Sequence, residues 1–290
     1  MEATPGRRKP RIMKYINVVP LSLWMLLLVI IPLFYVFIMG FLTKDTYGGV
    51  VFQFTLENYL NVFDQEYLRV YGESLFLGLI TTVLCLLIAY PFAFFLTQKS
   101  VVTRTVLMAL VIIPSVANSL VRLFGWITLL RKTGIVNHFL IEHGLIKEPL
   151  ELVYNSTGIV IGLVYLLLMF MIIPLYNSLE KIDGSLIEAA QDLGARKREV
   201  FFNIIFPLSK PGVFAGCVTV FIPSLGYFFV SDVMGGGTKI LIGNLIKNQF
   251  MIARDWPMGS AIAIMLIILT LIILAIYEKR GGKMEDLGGR

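Results

Sequence analysis

The chain has 290 residues, 57% of them hydrophobic and 15% charged, with a formal net charge of +6 and a mean hydropathy of +0.80. So large an apolar excess excludes a soluble globular domain, and positive residues placed in membrane-flanking loops explain the basic balance without nucleic acid. The two cysteines, Cys85 and Cys217, set no disulfide framework and read as small packing residues inside apolar runs.

An apolar run of about 20 residues crosses a hydrocarbon core about 30 Å thick. Six runs qualify, at 18–41, 74–97, 105–130, 157–179, 211–231 and 257–277. Backbone groups find no partners in lipid, and runs this long and uniform fit helices, not alternating barrel strands. The prediction is an all-α integral membrane protein with six transmembrane helices and a single transmembrane domain over 1–290. The first run has a basic flank (Arg7, Arg8, Lys9, Arg11, Lys14), but it is too long for a signal peptide and lacks a small-x-small cleavage site, so it reads as a retained span.

The third run is the most interrupted, with Pro114, Ser115, Asn118, Ser119 and Arg122 in an otherwise apolar stretch. Pro114 should kink the helix. Asn118 and Arg122, four residues apart, share a face. Asn118 and Ser119 either line a path or bond neighbouring helices, and Arg122 reads as a side chain reaching for the interface. In the next loop His138 and His143 have one acidic neighbour, Glu142, and no Cys or Asp cluster; they read as surface histidines and no metal site is expected.

Residues 180–210 form a charged loop between the fourth and fifth runs. Ser185 and Glu188 stand at capping-box spacing. Leu186, Ala189, Ala190 and Leu193 make a narrow apolar stripe, and Gly194 suits a left-handed helix end. A second helix carries Val200, Phe201 and Ile204 on one face and should stop at Pro207. Such a knuckle is either a docking element or an ordinary loop. The fifth run ends in Tyr227, Phe228, Phe229, Val230, Ser231 and Asp232. Rings beside an acid suit a cation; the same composition also fits an interfacial aromatic belt with a solvated Asp. The string Gly235-Gly236-Gly237-Thr238-Lys239 has the wrong order for a phosphate-cradling loop, and the sequence carries no G-x-S-x-G or H-E-x-x-H. No enzymatic activity, nucleotide site or bound cofactor is expected of this chain.

Lys and Arg residues orient the spans. Sixteen fall in the tails and in the loops after spans two and four, against eight in the other three loops, which predicts both termini and the 180–210 loop in the cytoplasm.

The pattern Glu188-Ala189-Ala190, Gly194, then Ile204-x-Phe206-Pro207 resembles the EAA signature of bacterial ABC-importer permeases, with Phe206 where that signature has Leu. The resemblance implies a type I ABC-importer permease fold. It makes the 180–210 loop a coupling element for a cytoplasmic ATPase, carried by Glu188, Ala189, Ala190, Asp192, Gly194 and Pro207. The strings at 114–126, 229–237, 241–250 and 254–261 are similar to those of permease subunits of spermidine/putrescine importers, and FTLENY (54–59) is a commoner feature of such permeases; the likeness runs from about 18 to 277. Glu73 departs from that pattern, which often has Asn there. The resemblance implies polyamine cargo and an inner-membrane heterodimer with a second permease subunit. A homodimeric ATPase would hold the ATP and Mg, and an extracytoplasmic polyamine-binding protein would deliver the substrate. The candidate pathway residues are Asp232, Tyr227, Phe228, Ser231, Asn118 and Ser119. The alternatives are a permease of the same fold for iron or sulfate, or an ion-coupled secondary transporter; the latter lacks the intramembrane acids and internal repeat it needs.

Overall fold

The computed structural model describes residues 19–46 and 48–279. The basic tails used to orient the spans, apart from Lys279, lie outside the described residues, as does the first residue of the span expected at 18–41.

The described chain forms two compact units. The first contains residues 19–63 and 249–265. Its leading helix, α1 (Val19–Met39), is apolar enough to cross a membrane, and every side chain from 19 to 35 is exposed, as suits a surface facing lipid or another apolar subunit. A two-stranded antiparallel hairpin follows, β1 (Leu42–Lys44) and β2 (Val50–Phe54), then a short helix α2 (Glu57–Asn61). Asn58 binds the segments together: its amide nitrogen donates to the carbonyls of Gly40 at 3.0 Å and Leu42 at 2.8 Å. The FTLENY string thus has a local structural role here. Lys44 pairs with Asp255 at 3.4 Å.

The second unit contains residues 64–248 and 266–279. Its core is three long helices, α3 (Gln65–Thr97), α7 (Ser156–Glu180) and α9 (Lys197–Gly226), each packed on the other two. Leu77, Ala89, Ala93 and Leu96 of α3, Leu163, Leu167, Met171 and Leu175 of α7, and Val220 of α9 fill the interior. Gly212 and Gly216 let α9 approach α7 closely: a Cβ on Gly212 would lie 2.7 Å from the Pro174 carbonyl, and one on Gly216 would lie 2.5 Å from the Met171 sulfur. Small residues four apart are a common means of bringing apolar helices together in lipid. Cys85 is buried and Cys217 half-buried, both as free thiols.

Two proline-containing helices each carry one π turn just before the proline. In α1 the turn Leu26–Ile30 is π-helical, and the Ile31 N–H reaches back to the Leu26 carbonyl just before Pro32. In α9 the π turn is Phe201–Ile205, and the Phe206 N–H reaches the Phe201 carbonyl just before Pro207. A proline has no N–H to give to the preceding turn; one widened turn absorbs the mismatch without breaking the helix. Pro207 is therefore not the stop expected of it: the helix that carries the fifth apolar run is continuous from 197 to 226, where it ends.

The third span is also different. The single kinked helix expected over 105–130 is two helices, α4 (Val101–Val116) and α5 (Ser119–Leu130). The axes of the pair, with the second arm taken to Glu142, meet at 99°. Ala117 is extended, with ψ 150°, and Asn118 caps the new helix by accepting the Leu120 N–H at 2.8 Å. Beyond α5 come α6 (Ile135–Glu142), α8 (Gly184–Asp192), α10 (Phe228–Met234) and α11 (Ile242–Met251), with α12 (Trp256–Lys279) closing the described chain. Among the described residues, five helices are each long and apolar enough to span a membrane, and the bent pair makes a sixth span if counted as one.

Candidate functional site

The 180–210 loop is the helix–glycine–helix knuckle that its sequence describes, with a different cap. Asp183 takes the N-cap of α8, accepting the Ser185 N–H at 2.9 Å, and that bond holds its carboxyl below the usual carboxylate range. The Ser185/Glu188 box is thereby replaced, because the helix starts two residues earlier than the box requires. Its counterpart lies at the second helix, where Glu199 accepts the Arg196 N–H at 2.7 Å. Gly194 has φ +85°. Its N–H bonds to the Gln191 carbonyl at 2.9 Å and that of Ala195 to the Ala190 carbonyl at 3.0 Å, closing the helix with a left-handed residue. Ile187 and Ala190 face the protein, whereas Leu186, Glu188, Ala189, Asp192 and Leu193 are exposed, Leu193 to 89%. Leu186, Ala189 and Leu193 of the apolar stripe thus point outward, and Ala190 packs inward.

One arginine fastens the root of this loop. Arg104, near the start of α4, donates through Nη1 to the Tyr176 hydroxyl at 3.1 Å and to the Glu180 carboxylate, and through Nη2 to the Thr97 and Lys99 carbonyls at 3.3 and 3.4 Å. Its planar fork thereby ties the α3–α4 turn to the last turn of α7, which leads into the knuckle. Beside it lies a cavity of about 790 Å³, lined by Arg104, Glu180, Gln98 and Gln191 over an apolar floor of Phe94 and Phe201. Arg104 was counted in the sequence only as a loop charge; its role is set by tertiary contact.

The acid after the aromatic cluster is a second centre. α9 ends at Gly226, Tyr227 forms the break with ψ 62°, and α10 begins at Phe228. Asp232 accepts from Lys247 Nζ at 2.6 Å through one oxygen and from Asn244 Nδ2 at 2.7 Å through the other. Lys247 Nζ also lies 5.5 Å from the Phe228 ring centre, and the rings of Tyr227 and Phe229 are 5.2 Å apart. The partner of Asp232 is therefore Lys247 on α11. Asn244 and Lys247 are three apart on one helix, a spacing visible in the sequence once a helix is assigned there. Ser231 is buried, and its hydroxyl donates to the Lys239 carbonyl at 2.6 Å.

Asn118 and Ser119 are engaged at the helix break. Beyond the Asn118 cap, the Ser119 hydroxyl accepts from Arg122 at 3.3 Å. Arg122 also reaches the Ser115 carbonyl at the end of α4, at 3.5 Å, and lies over the Tyr165 ring at 5.4 Å. Arg122 thus clasps the bend instead of reaching for an interface.

Among known families, the model for "binding-protein-dependent transport system inner membrane component" matches residues 86–279. The chain is 43% identical to the spermidine/putrescine transport system permease protein PotB of Haemophilus influenzae, across 88% of this chain and 90% of that protein. It is 44% identical to the protein of the same description from Escherichia coli, across 88% and 92%. A bacterial alginate ABC transporter, solved in complex with an alginate-pentasaccharide-bound periplasmic protein, contains a chain that superposes with a TM-score of 0.74 at 17% identity, covering 91% of this chain and 92% of that one. The MetNI methionine ABC transporter in an inward-facing form superposes at 0.55 with 16% identity, over 73% and 93%. At those identities the two structures attest a shared fold.

Proposed function

This chain belongs to the family of binding-protein-dependent transport system inner membrane components, and we propose that it forms half of the path by which an ABC importer carries spermidine and putrescine across the bacterial inner membrane. One observation carries the choice of cargo. Asp232 already holds an alkylammonium, that of Lys247, at 2.6 Å beside the Phe228 ring. A polyamine presents the same group on a flexible chain and can take the same contacts. Exposed cation–π contacts contribute roughly 0.5–1 kcal/mol, and an accompanying charge-assisted hydrogen bond adds directional strength. Lys247 then serves as a tethered occupant that balances the carboxylate's charge until substrate replaces it.

The rest of the reading follows from the family's division of labour. Both termini and the knuckle lie in the cytoplasm, where Leu186, Glu188, Ala189 and Leu193 offer a mixed apolar and acidic face to a homodimeric ATPase that binds ATP and Mg. A second permease subunit completes the path, and an extracytoplasmic binding protein delivers the polyamine to the end carrying Asp232. This chain catalyses no covalent step and binds no cofactor. Movement of the knuckle passes through the Arg104 fork to α3, α4 and α7, which then move together, as rigid-body alternating access requires.

The test is uptake of labelled spermidine, putrescine and sulfate by cells expressing the chain with its partners and lacking their own polyamine importers. ATP-dependent accumulation of either polyamine, without sulfate, is the expected result. Accumulation of sulfate alone would overturn the cargo assignment.

A further inference from the structure

We propose that Glu73 is a second ammonium site for the polyamine, outside Asp232, held in waiting by Lys239 as Asp232 is by Lys247; this deepens the polyamine reading above and rests on it. Glu73 lies near the outer end of α3. One carboxylate oxygen accepts from Arg69 Nε at 3.1 Å and the other from Lys239 Nζ at 3.1 Å. Its side chain remains 30% exposed and that of Lys239 37%, so an incoming cation can reach the pair.

Two further bonds relate this pair to the first. The Ser231 hydroxyl, next to Asp232, holds the Lys239 carbonyl at 2.6 Å. The Ser74 hydroxyl, next to Glu73, accepts the Ile242 N–H at 2.9 Å at the start of α11. The segment from Lys239 to Lys247 therefore runs between the two acids and places one lysine on each. It presents two ammonium groups on one short segment, as a di- or polyamine presents them on one short chain. A linear polyamine that displaces Lys239 from Glu73 and Lys247 from Asp232 gives each acid one ammonium in place of another, and the two freed lysine side chains, each already partly exposed, turn to solvent. Arg69, one helical turn away, stays on Glu73 throughout, so the acid is never left bare.

The same geometry could serve simply as a latch between α3 and the 235–241 turn, and the two roles differ in sign. Removing either partner breaks a latch equally. For a ligand site the two partners act oppositely: Glu73→Gln removes the acceptor, whereas Lys239→Gln removes the competitor. The experiment is equilibrium binding of labelled spermidine to the complete assembly, purified with its permease and ATPase partners, without the binding protein, and held with ATP by a hydrolysis-deficient ATPase. An exposed charge pair corresponds to a change of roughly two- to fivefold in affinity. Glu73→Gln is expected to raise the dissociation constant by that factor and Lys239→Gln to lower it. Shifts in the same direction, or no shift in either, would overturn the proposal. Asp232→Asn in the same assay separates this result from the cargo reading: if wild type binds spermidine and Asp232→Asn weakens it while Glu73→Gln does not, Glu73 alone is wrong. Failure of wild type to bind spermidine overturns both.

Discussion

At φ +85° the Gly194 backbone lies where a Cβ is penalised, yet an added Cβ would meet nothing within 4 Å. Substitution there therefore tests backbone conformation without a steric clash. A non-glycine residue in the left-handed region is disfavoured by roughly 1–2 kcal/mol, with alanine toward the lower figure and a β-branched residue toward the upper. Since 1.4 kcal/mol is a factor of ten, the native turn loses about five- to thirtyfold in relative population. Asparagine visits this region more readily, so the expected order of function is Gly, Asn, Ala, Val. Gly194 is exposed and a Cβ there meets no membrane span, so all four proteins should insert at equal abundance. The assay is retention of the ATPase by affinity-tagged permease, measured beside polyamine uptake and immunoblotted membrane levels. Gly194→Val with full ATPase retention and normal uptake would show that the shape of this turn does not govern docking.

Arg104→Met should lower uptake severalfold while the assembly persists, and Arg104→Lys should rescue little, because a single ammonium cannot serve the Tyr176, Glu180, Thr97 and Lys99 acceptors together; the informative readout is the ratio of ATP hydrolysis with and without loaded binding protein, which should fall toward one. Gly216→Leu should sharply reduce membrane abundance, since even a Cβ there lies 2.5 Å from the Met171 sulfur and overpacking of this kind is worth about 1–3 kcal/mol; normal abundance would mean α7 and α9 can separate freely. Azido-ATP should label the ATPase and leave this chain unlabelled, and a label mapped to this chain would contradict the assignment of nucleotide binding to the partner.

The sequence made legible what is local or periodic. Long apolar runs locate α3, α7 and α12, and Gly194 marks its own left-handed turn. Local signals misled where neighbouring structure compensated. Pro207 reads as a stop until a π turn at 201–205 supplies the missing slack. Pro114 reads as a kink, although four residues later Asn118 provides the cap that allows a new helix to start at 99°. The apolar stretches before Pro114 and after Arg122 made the two helices read as one span. Contacts distant in sequence were not legible at all. Asp232 was recognisable as an acid beside rings, but Lys247 is fifteen residues away on a short helix that hydropathy does not single out, and Arg104 finds Tyr176 and Glu180 only once α7 packs beside α4. The shared type I permease fold is thus read from spans and the knuckle, whereas the ion pairs that give it chemistry come from packing.

The most direct test of the account is Asp232→Asn, which keeps the side chain's shape and removes its charge. Uptake of labelled spermidine and putrescine should be measured in the reconstituted importer, together with membrane abundance, ATPase retention and basal ATP hydrolysis. The account predicts an assembled complex with normal basal hydrolysis and polyamine uptake reduced about tenfold, as expected when a charge-assisted hydrogen bond of about 1.5 kcal/mol is lost; Tyr227→Ala should slow uptake as well, and Tyr227→Phe less. A fully assembled Asp232→Asn complex that imports both polyamines at the wild-type rate would contradict it.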